Sequence, residues 1–187
     1  MASYAAFLRG MNVGGHRVTN DELRAHFAAL GFADVASFRA SGNVVFAADR
    51  QAGRASAEEL RERIEQGLAE ALGYAVPTFV RAAAEVRAIA AAAPFAPERL
   101  QGSAGKLQVA LLASPPSPPS PQARAQALSL AGDRDGLVFG ERELYWLPAG
   151  GVLDSALDMK TIERLLGPMT MRTKGTVEQL AAKHFTG

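Results

Sequence analysis

Two short stretches of the chain hold residue types that bind anions: Arg9-Gly10-Met11-Asn12-Val13-Gly14-Gly15 and Arg39-Ala40-Ser41-Gly42-Asn43. Glycine reaches positive φ without steric cost and leaves backbone N–H groups open to a ligand. Arginine offers a planar fork of donors that matches phosphate or carboxylate. A helix start at about Asn20 follows the first stretch, and helix N-termini attract negative charge. The same residues are also ordinary turn chemistry. Either stretch alone therefore reads as a turn, and only their convergence would make a site. The residues so marked are Arg9, Asn12, Gly14, Gly15, Arg39, Ser41 and Asn43.

Several reactions are excluded by what these motifs lack. Gly10-x-x-x-x-Gly15 has the glycine spacing of a nucleotide P-loop. His16, however, stands where lysine should reach the phosphates, and Arg17 where Ser or Thr should hold magnesium. Ser41 is not in a nucleophile elbow, since Arg39 and Asn43 occupy the flanking glycine positions. With no cysteine there is no thiolate zinc site, Fe–S cluster, disulfide or Cys nucleophile. His16, His26 and His184 are scattered and form no His-Glu-x-x-His pattern, so no metal and no cofactor is implied. Asp133 and Asp135 flank a turn and read as solvated loop residues. No catalytic residue can be named. His16 is the sole group in the loop that titrates near neutral pH.

The elements that must position these residues follow from periodicity. Tyr4–Leu8 is apolar throughout, as a strand buried on both faces should be. Thr19 to Glu22 is a capping box for a helix with Leu23, Phe27 and Leu30 on one stripe, ending at Gly31. Val35–Phe38 and Val44–Phe46 are strands flanking the Ser41-Gly42-Asn43 turn. Ser56 to Glu59 is a second capping box, for a helix carrying Leu60, Ile64, Leu68 and Leu72 and stopping at Gly73. Val76–Val80 is a fourth strand, marked by Pro77 for an edge position. A connecting helix over 82–93 stops at Pro94, and 94–105 reads as a linker. The pattern then recurs: a strand at 106–113, a Pro-rich loop at 114–121, a helix capped by Ser120, strands at 137–139 and 144–147, a helix over 156–166, a strand at 169–172 and a last helix over 176–183.

The spacing predicts an α+β chain of two ferredoxin-like units packed together (split βαβ, order β-α-β-β-α-β), plus a C-terminal helix. The expected boundaries are 1–81, a connecting helix and linker at 82–105, and 106–187. In such a unit the first and second strands run parallel and end at one edge of the sheet, with the third strand beside the first. The Gly10–Gly15 loop and the Ser41–Asn43 turn should then face one another. An RNA-recognition module shares this order, but Asn43-Val44-Val45-Phe46-Ala47 lacks its basic-Gly-aromatic pattern. Because the strands are apolar at nearly every position, both sheet faces should be covered, with Tyr145 and Trp146 in the core.

The 187 residues carry 20 Lys+Arg against 19 Asp+Glu, and neither half forms a charged arm. No bulk electrostatic pull toward nucleic acid or anionic lipid follows. No apolar run reaches the roughly 20 residues that span a bilayer. The N-terminus lacks the pattern of a signal peptide. The cysteine-free composition fits a reducing cytoplasm, where the chain is expected.

Ala6-Phe7-Leu8-Arg9-Gly10-Met11-Asn12-Val13-Gly14-Gly15, the helix from Leu23 to Gly31, and Ser41-Gly42-Asn43-Val44-Val45-Phe46 resemble the signature of the bacterial domain of unknown function 1697 family. Pro94-Phe95 and Gly167, Arg172, Thr176, Val177 and Leu180 fall in register with it. The resemblance implies paired ferredoxin-like units and no activity. The C-terminal part departs from the family. Asp154-Ser155-Ala156-Leu157 stands where members often carry a basic-Ser-Lys-Leu stretch, and Arg172-Thr173-Lys174-Gly175-Thr176-Val177 where they often read Arg-Asn-Trp-Asn-Thr-Val. Arg172 and Lys174 precede a helix start and join the candidate binding residues.

Three readings result. The first is a protein binding a phosphate-bearing ligand, nucleotide or nucleic acid, at the edge formed by Arg9–Gly15 and Arg39–Asn43. The second is an enzyme on a small metabolite, using that edge or a groove between the units. The third is a structural or oligomerising module. The oligomeric state is not legible in the sequence.

Overall fold

The computed structural model describes residues 1–12, 15, 17–39, 42–48, 56–113, 119–132 and 135–186. The chain divides into two units, Met1–Arg87 with Leu180–Gly187, and Ala88–Gln179. The first contains β1 (Ala2–Leu8), α1 (Asn20–Ala29), β2 (Ala33–Ser37), β3 (Asn43–Ala48), α2 (Ala57–Leu72) and β4 (Thr78–Ala82). After α3 (Ala83–Ala91) and α4 (Pro97–Gln101), the second contains β5 (Gln108–Leu112), α5 (Pro121–Ser129), β6 (Gly136–Phe139), β7 (Glu143–Leu147), α6 (Met159–Leu166) and β8 (Met169–Thr173). A last helix, α7 (Lys174–His184), follows. Each run is β-α-β-β-α-β, and each sheet is antiparallel, ordered β2-β3-β1-β4 and β6-β7-β5-β8. The class is α+β.

Local chemistry sets the helix starts. Thr19 and Ser56 both complete capping boxes, with Glu22 and Glu59 returning to the cap backbone. Gly73 closes α2 in the left-handed conformation, where glycine carries no Cβ penalty. Ser120 caps α5 with Pro121 at its first position. Three sequence expectations shift. The segment 94–105 is not wholly a linker, because Pro97 at a helix start nucleates α4. Helix α6 begins at Met159, since Asp158 caps it through the Thr161 N–H at 3.0 Å. Helix α7 begins at Lys174, straight out of β8, with the Thr173 hydroxyl accepting from the Thr176 N–H. The Pro-rich residues 114–118 lie outside the described residues.

In the first unit Leu23 and Phe27 of α1 and Leu60, Ile64 and Leu68 of α2 pack on Ala6, Leu8, Val44, Phe46 and Val80. Phe27, Phe32 and Phe46 form a ring cluster, with Phe32 and Phe46 centroids 4.5 Å apart. Each such large side chain contributes about 1.5–3 kcal/mol when fully buried. The opposite sheet face, with Ala5, Phe7, Val45 and Phe79, is buried too. That is why the strand sequences do not alternate. Trp146 and Tyr145 are core residues, as expected.

The reading of Asp135 is corrected. It is buried, at 7% exposure, and its carboxylate accepts from Trp146 Nε1 at 3.2 Å, the Ala149 N–H at 3.1 Å and the Ser155 hydroxyl at 2.9 Å. Burial of a carboxylate is tolerable because three donors replace its water. Asp133 lies outside the described residues.

Candidate functional site

The register brings the two glycine-bearing segments together. Phe7 of β1 stands opposite Asn43 of β3, and Ser37 of β2 opposite Val44. The Leu8 N–H donates to the Gly42 carbonyl at 2.7 Å, and the Arg9 N–H to the Pro77 carbonyl at 2.9 Å. The exit of β1, the β2–β3 turn and the entry to β4 thus share one edge. Gly42 has φ +67°, and a Cβ there would lie 3.1 Å from Leu8 Cβ and 3.2 Å from the Leu8 carbonyl oxygen. The turn presses onto the strand so closely that a side chain would have to displace backbone. Asn43 closes the hairpin from below. It is fully buried, its carbonyl accepts from the Phe38 N–H at 2.8 Å, and its side-chain amide donates to the Phe38 carbonyl at 3.1 Å. Arg39 is exposed beside the turn at φ +58°, its guanidinium 5.7 Å from the Phe38 ring centre.

A cavity of about 550 Å³ opens beside the first stretch, lined by Asn12, Gly15, Arg17, Val18 and Thr19. Its base is tied by the Val18 N–H donating to Asn12 Oδ1 at 3.0 Å, and by the Tyr74 hydroxyl donating to the Met11 carbonyl at 2.9 Å. Arg9 is half-buried at the strand exit. Gly14, Ser41 and His16 lie outside the described residues. The α1 N-terminus, counted as an anion donor in the sequence, already holds an anion. Glu22 accepts from the Thr19 N–H and hydroxyl, both at 2.8 Å, and these bonds hold its carboxyl below the usual range. Positive charge at the cavity comes instead from Arg17, an exposed residue that sequence reading treated only as a mismatch to the P-loop. Its place between the Gly14-Gly15 pair and the Thr19 capping box was the signal that could have found it.

Residues 1–145, which include the strand-exit glycine loop and the hairpin pressed on it, match the pattern of a sequence family described as "Protein of unknown function (DUF1697)". The chain belongs to this family. The DUF1697 match ends at Tyr145, so the departing segments 154–157 and 172–177 lie beyond it. Among solved structures, the conserved bacterial protein SP0830 from Streptococcus pneumoniae is similar to this DUF1697 chain, with a TM-score of 0.76 and 20% identity over 100% of this chain and 99% of that one. That likeness speaks for the fold alone. No curated protein matches the chain.

The two remaining candidates of this DUF1697 protein belong to its second unit. Arg172, in β8, donates to the Thr170 hydroxyl at 3.0 Å and the Met171 carbonyl at 2.8 Å. Burial pushes its pKa down to about 10. Lys174, the first residue of α7, is buried. Its ammonium donates to the Ala90 carbonyl at 2.8 Å and pairs with Glu178. Both cations are engaged within their own unit. Among the described residues no helix is long and apolar enough to cross a membrane, and no cluster of three His, Asp or Glu side chains could hold a metal ion.

Proposed function

We propose that this protein binds a phosphate-bearing ligand, a nucleotide or a nucleic-acid end, at the edge formed by Arg9–Gly15 and Arg39–Asn43. The observation that carries the reading is the cavity of about 550 Å³ that Asn12, Gly15 and Arg17 line in the segment following β1, the strand whose end the Gly42 turn meets. Its size falls within the range of small-molecule sites, about 300–1,000 Å³. In this reading Arg17 supplies positive charge at the cavity, Gly15 a backbone N–H and Asn12 a polar contact, while Arg9 and Arg39 add charge along the same edge; Gly14 and Ser41 lie outside the described residues. Gly42 and Asn43 act by position, holding the turn against β1. This reading does not use Arg172 and Lys174, whose side chains bond within the second unit. Phosphate contacts of this kind position a ligand and carry no base specificity.

The test is a thermal-shift panel of inorganic phosphate, sulfate, nucleoside mono- and diphosphates and a short 5′-phosphorylated oligonucleotide. A ligand at 100 times its Kd adds about 2.7 kcal/mol to stability, several degrees in Tm for a chain of this size. The expected result is a rise in Tm that Arg17→Ala abolishes without lowering the ligand-free Tm. No rise with any of these anions, or a rise that Arg17→Ala leaves unchanged, overturns the reading in favour of a structural module.

A further inference from the structure

Each sheet has two outer strands, β2 and β4 in the first unit and β6 and β8 in the second. An outer strand presents unpaired N–H and C=O groups to any other strand, and proteins blunt it with bulges, charged side chains or proline. Three of these four strands are blunted. β2 carries a register shift between Ala33 and Ala36, with Asp34 at φ +50°. On β4, side chains occupy the outward groups. Glu65 accepts from the Thr78 N–H at 2.8 Å, Arg81 donates to the Val80 carbonyl at 3.1 Å, and Glu85 accepts from the Ala82 N–H at 2.8 Å. On β8, Arg172 donates to the outward carbonyl of Met171 at 2.8 Å. β6, Gly136-Leu137-Val138-Phe139, has no bulge, charge or proline. The Gly140 N–H donates to the Glu143 carbonyl at 2.8 Å, so Gly136 and Val138 bond to β7, while Leu137 and Phe139 turn their N–H and C=O outward. Among the described residues these four groups have no hydrogen-bond partner. A guanidinium stands at each end of the row. Arg99 of α4 donates to the Asp135 carbonyl at 3.4 Å. Arg124 of α5 donates to the Glu141 carbonyl at 3.3 Å and lies 4.9 Å from the Phe139 ring centre. Neither arginine makes an ion pair among the described residues, the exposed Glu98 and Glu141 included.

We infer that the outer edge of β6 docks an extended segment of another protein, apolar at alternate positions and acidic at both ends, as a fifth strand of the second sheet. The outward groups of Leu137 and Phe139 give the docked strand four main-chain hydrogen bonds. Both side chains are half-buried against the core of the unit, so apolar residues of the docked strand that lie on that face continue it. From Asp135 to Glu141 the chain runs about 20 Å when extended, and carboxylates at the two ends of the segment meet Arg99 and Arg124 there. A second copy of this chain fits the edge worse. The antiparallel register that uses all four outward groups sets Leu137 of one copy opposite Phe139 of the other, and therefore Asp135 opposite Glu141. Arg124 of each copy then faces Arg99 of the other at both ends of a four-residue strand. Like charges placed so are destabilising, and an acidic segment turns the same two cations into attractions. The inference uses the second unit alone and is independent of the anion site proposed in the first.

The probe is a labelled synthetic peptide, acetyl-Glu-Val-Thr-Val-Thr-Val-Glu-amide, with a control in which both Glu are replaced by Lys. Fluorescence polarisation on the full chain reads the affinity, and NMR with hydrogen exchange reads the site. The Glu-ended peptide should bind about tenfold more tightly than the Lys-ended one, by a margin that shrinks as salt is added. The Leu137 and Phe139 amides should shift and exchange more slowly in the complex. Arg99→Glu combined with Arg124→Glu should reverse the preference. Leu137→Pro removes one outward N–H, leaves the bonds to β7 in place and should weaken binding at least tenfold. A second measurement leaves the protein untouched. Of two Glu-ended peptides, one N-methylated at the valines and one at the threonines, a docked strand tolerates one and loses the other, because alternate N–H groups face the edge. Equal binding of the Glu- and Lys-ended peptides, equal binding of the two methylated ones, or no binding at about 1 mM overturns the inference. So does a dimer in sedimentation whose Leu137 and Phe139 amides are already protected, which would give the edge to a second copy.

Discussion

Gly42 and Gly15 look alike in the sequence, each a glycine in a turn beside an arginine, and both adopt positive φ, +67° and +88°. Their surroundings separate them. A Cβ at Gly15 meets nothing within 4 Å, whereas at Gly42 it would press on Leu8 at 3.1–3.2 Å. Alanine in the left-handed region costs about 1–2 kcal/mol by itself. Gly15→Ala should therefore lower stability by about 1 kcal/mol. Gly42→Ala should lower it by about 3 kcal/mol, because backbone atoms of β1 must also move. Urea midpoints at unchanged slope measure both. Equal losses would show that the Leu8 approach exerts no constraint. The residue types of the edge were legible because turn chemistry and anion chemistry use the same small set. Which of them face a ligand was not. Asn43 turned inward to hold Phe38, and Arg17, read only as a mismatch to the P-loop, came to line the cavity.

Among the elements, Asp135 shows most clearly what pattern reading misses. Its sequence neighbourhood, Gly132-Asp133-Arg134-Asp135-Gly136, is that of a solvated turn. Yet its carboxylate joins β7 through Trp146, the following loop through Ala149 and the approach to α6 through Ser155. Those donors lie 11 to 20 residues away in the chain, beyond any local signal. Asp135→Ala should cost about 2 kcal/mol or more, since the Trp146 N–H is left buried without an acceptor. Asp135→Asn should cost less than half of that, because its amide oxygen still accepts from Trp146 and Ala149. Denaturant unfolding with Trp146 fluorescence as the probe reads both, and an equal loss in the two variants would mean that charge, not hydrogen bonding, is the clamp. The capping boxes at Thr19 and Ser56 lie at the other extreme. They need only residues three apart, so the sequence announced them and the structure contains both.

For the whole molecule, alkaline pH reads a buried phenol of the second unit. Burial, with help from Glu143, pushes the Tyr145 phenol up to about 12. Its raised value means that it favours the folded state below pH 10 and loses that contribution as pH climbs through 12. Between pH 10 and 12, Tyr145→Phe should therefore lose less stability than the wild type. Urea midpoints across that range give the comparison, and parallel curves for the two proteins would refute it.

The amino-acid sequence by itself determined the order of elements, their caps and the two-sided burial of the strands, because helix caps and strand periodicity are written in residues two to four positions apart. It also pointed to the exit of β1 and the hairpin turn meeting at one sheet edge, once the β-α-β-β-α-β order was read as a split βαβ unit with β3 beside β1. Only the tertiary structure decided that Gly42 presses on Leu8, that Glu22 occupies the α1 N-terminus, that Asp135 is buried and that His184 rests on Phe38. Most of these contacts join residues far apart in the chain, and even the local Glu22 bond depends on how Thr19 is turned. Their energies depend on which donors and rings the packing brings within a few ångströms, a quantity that no local pattern encodes.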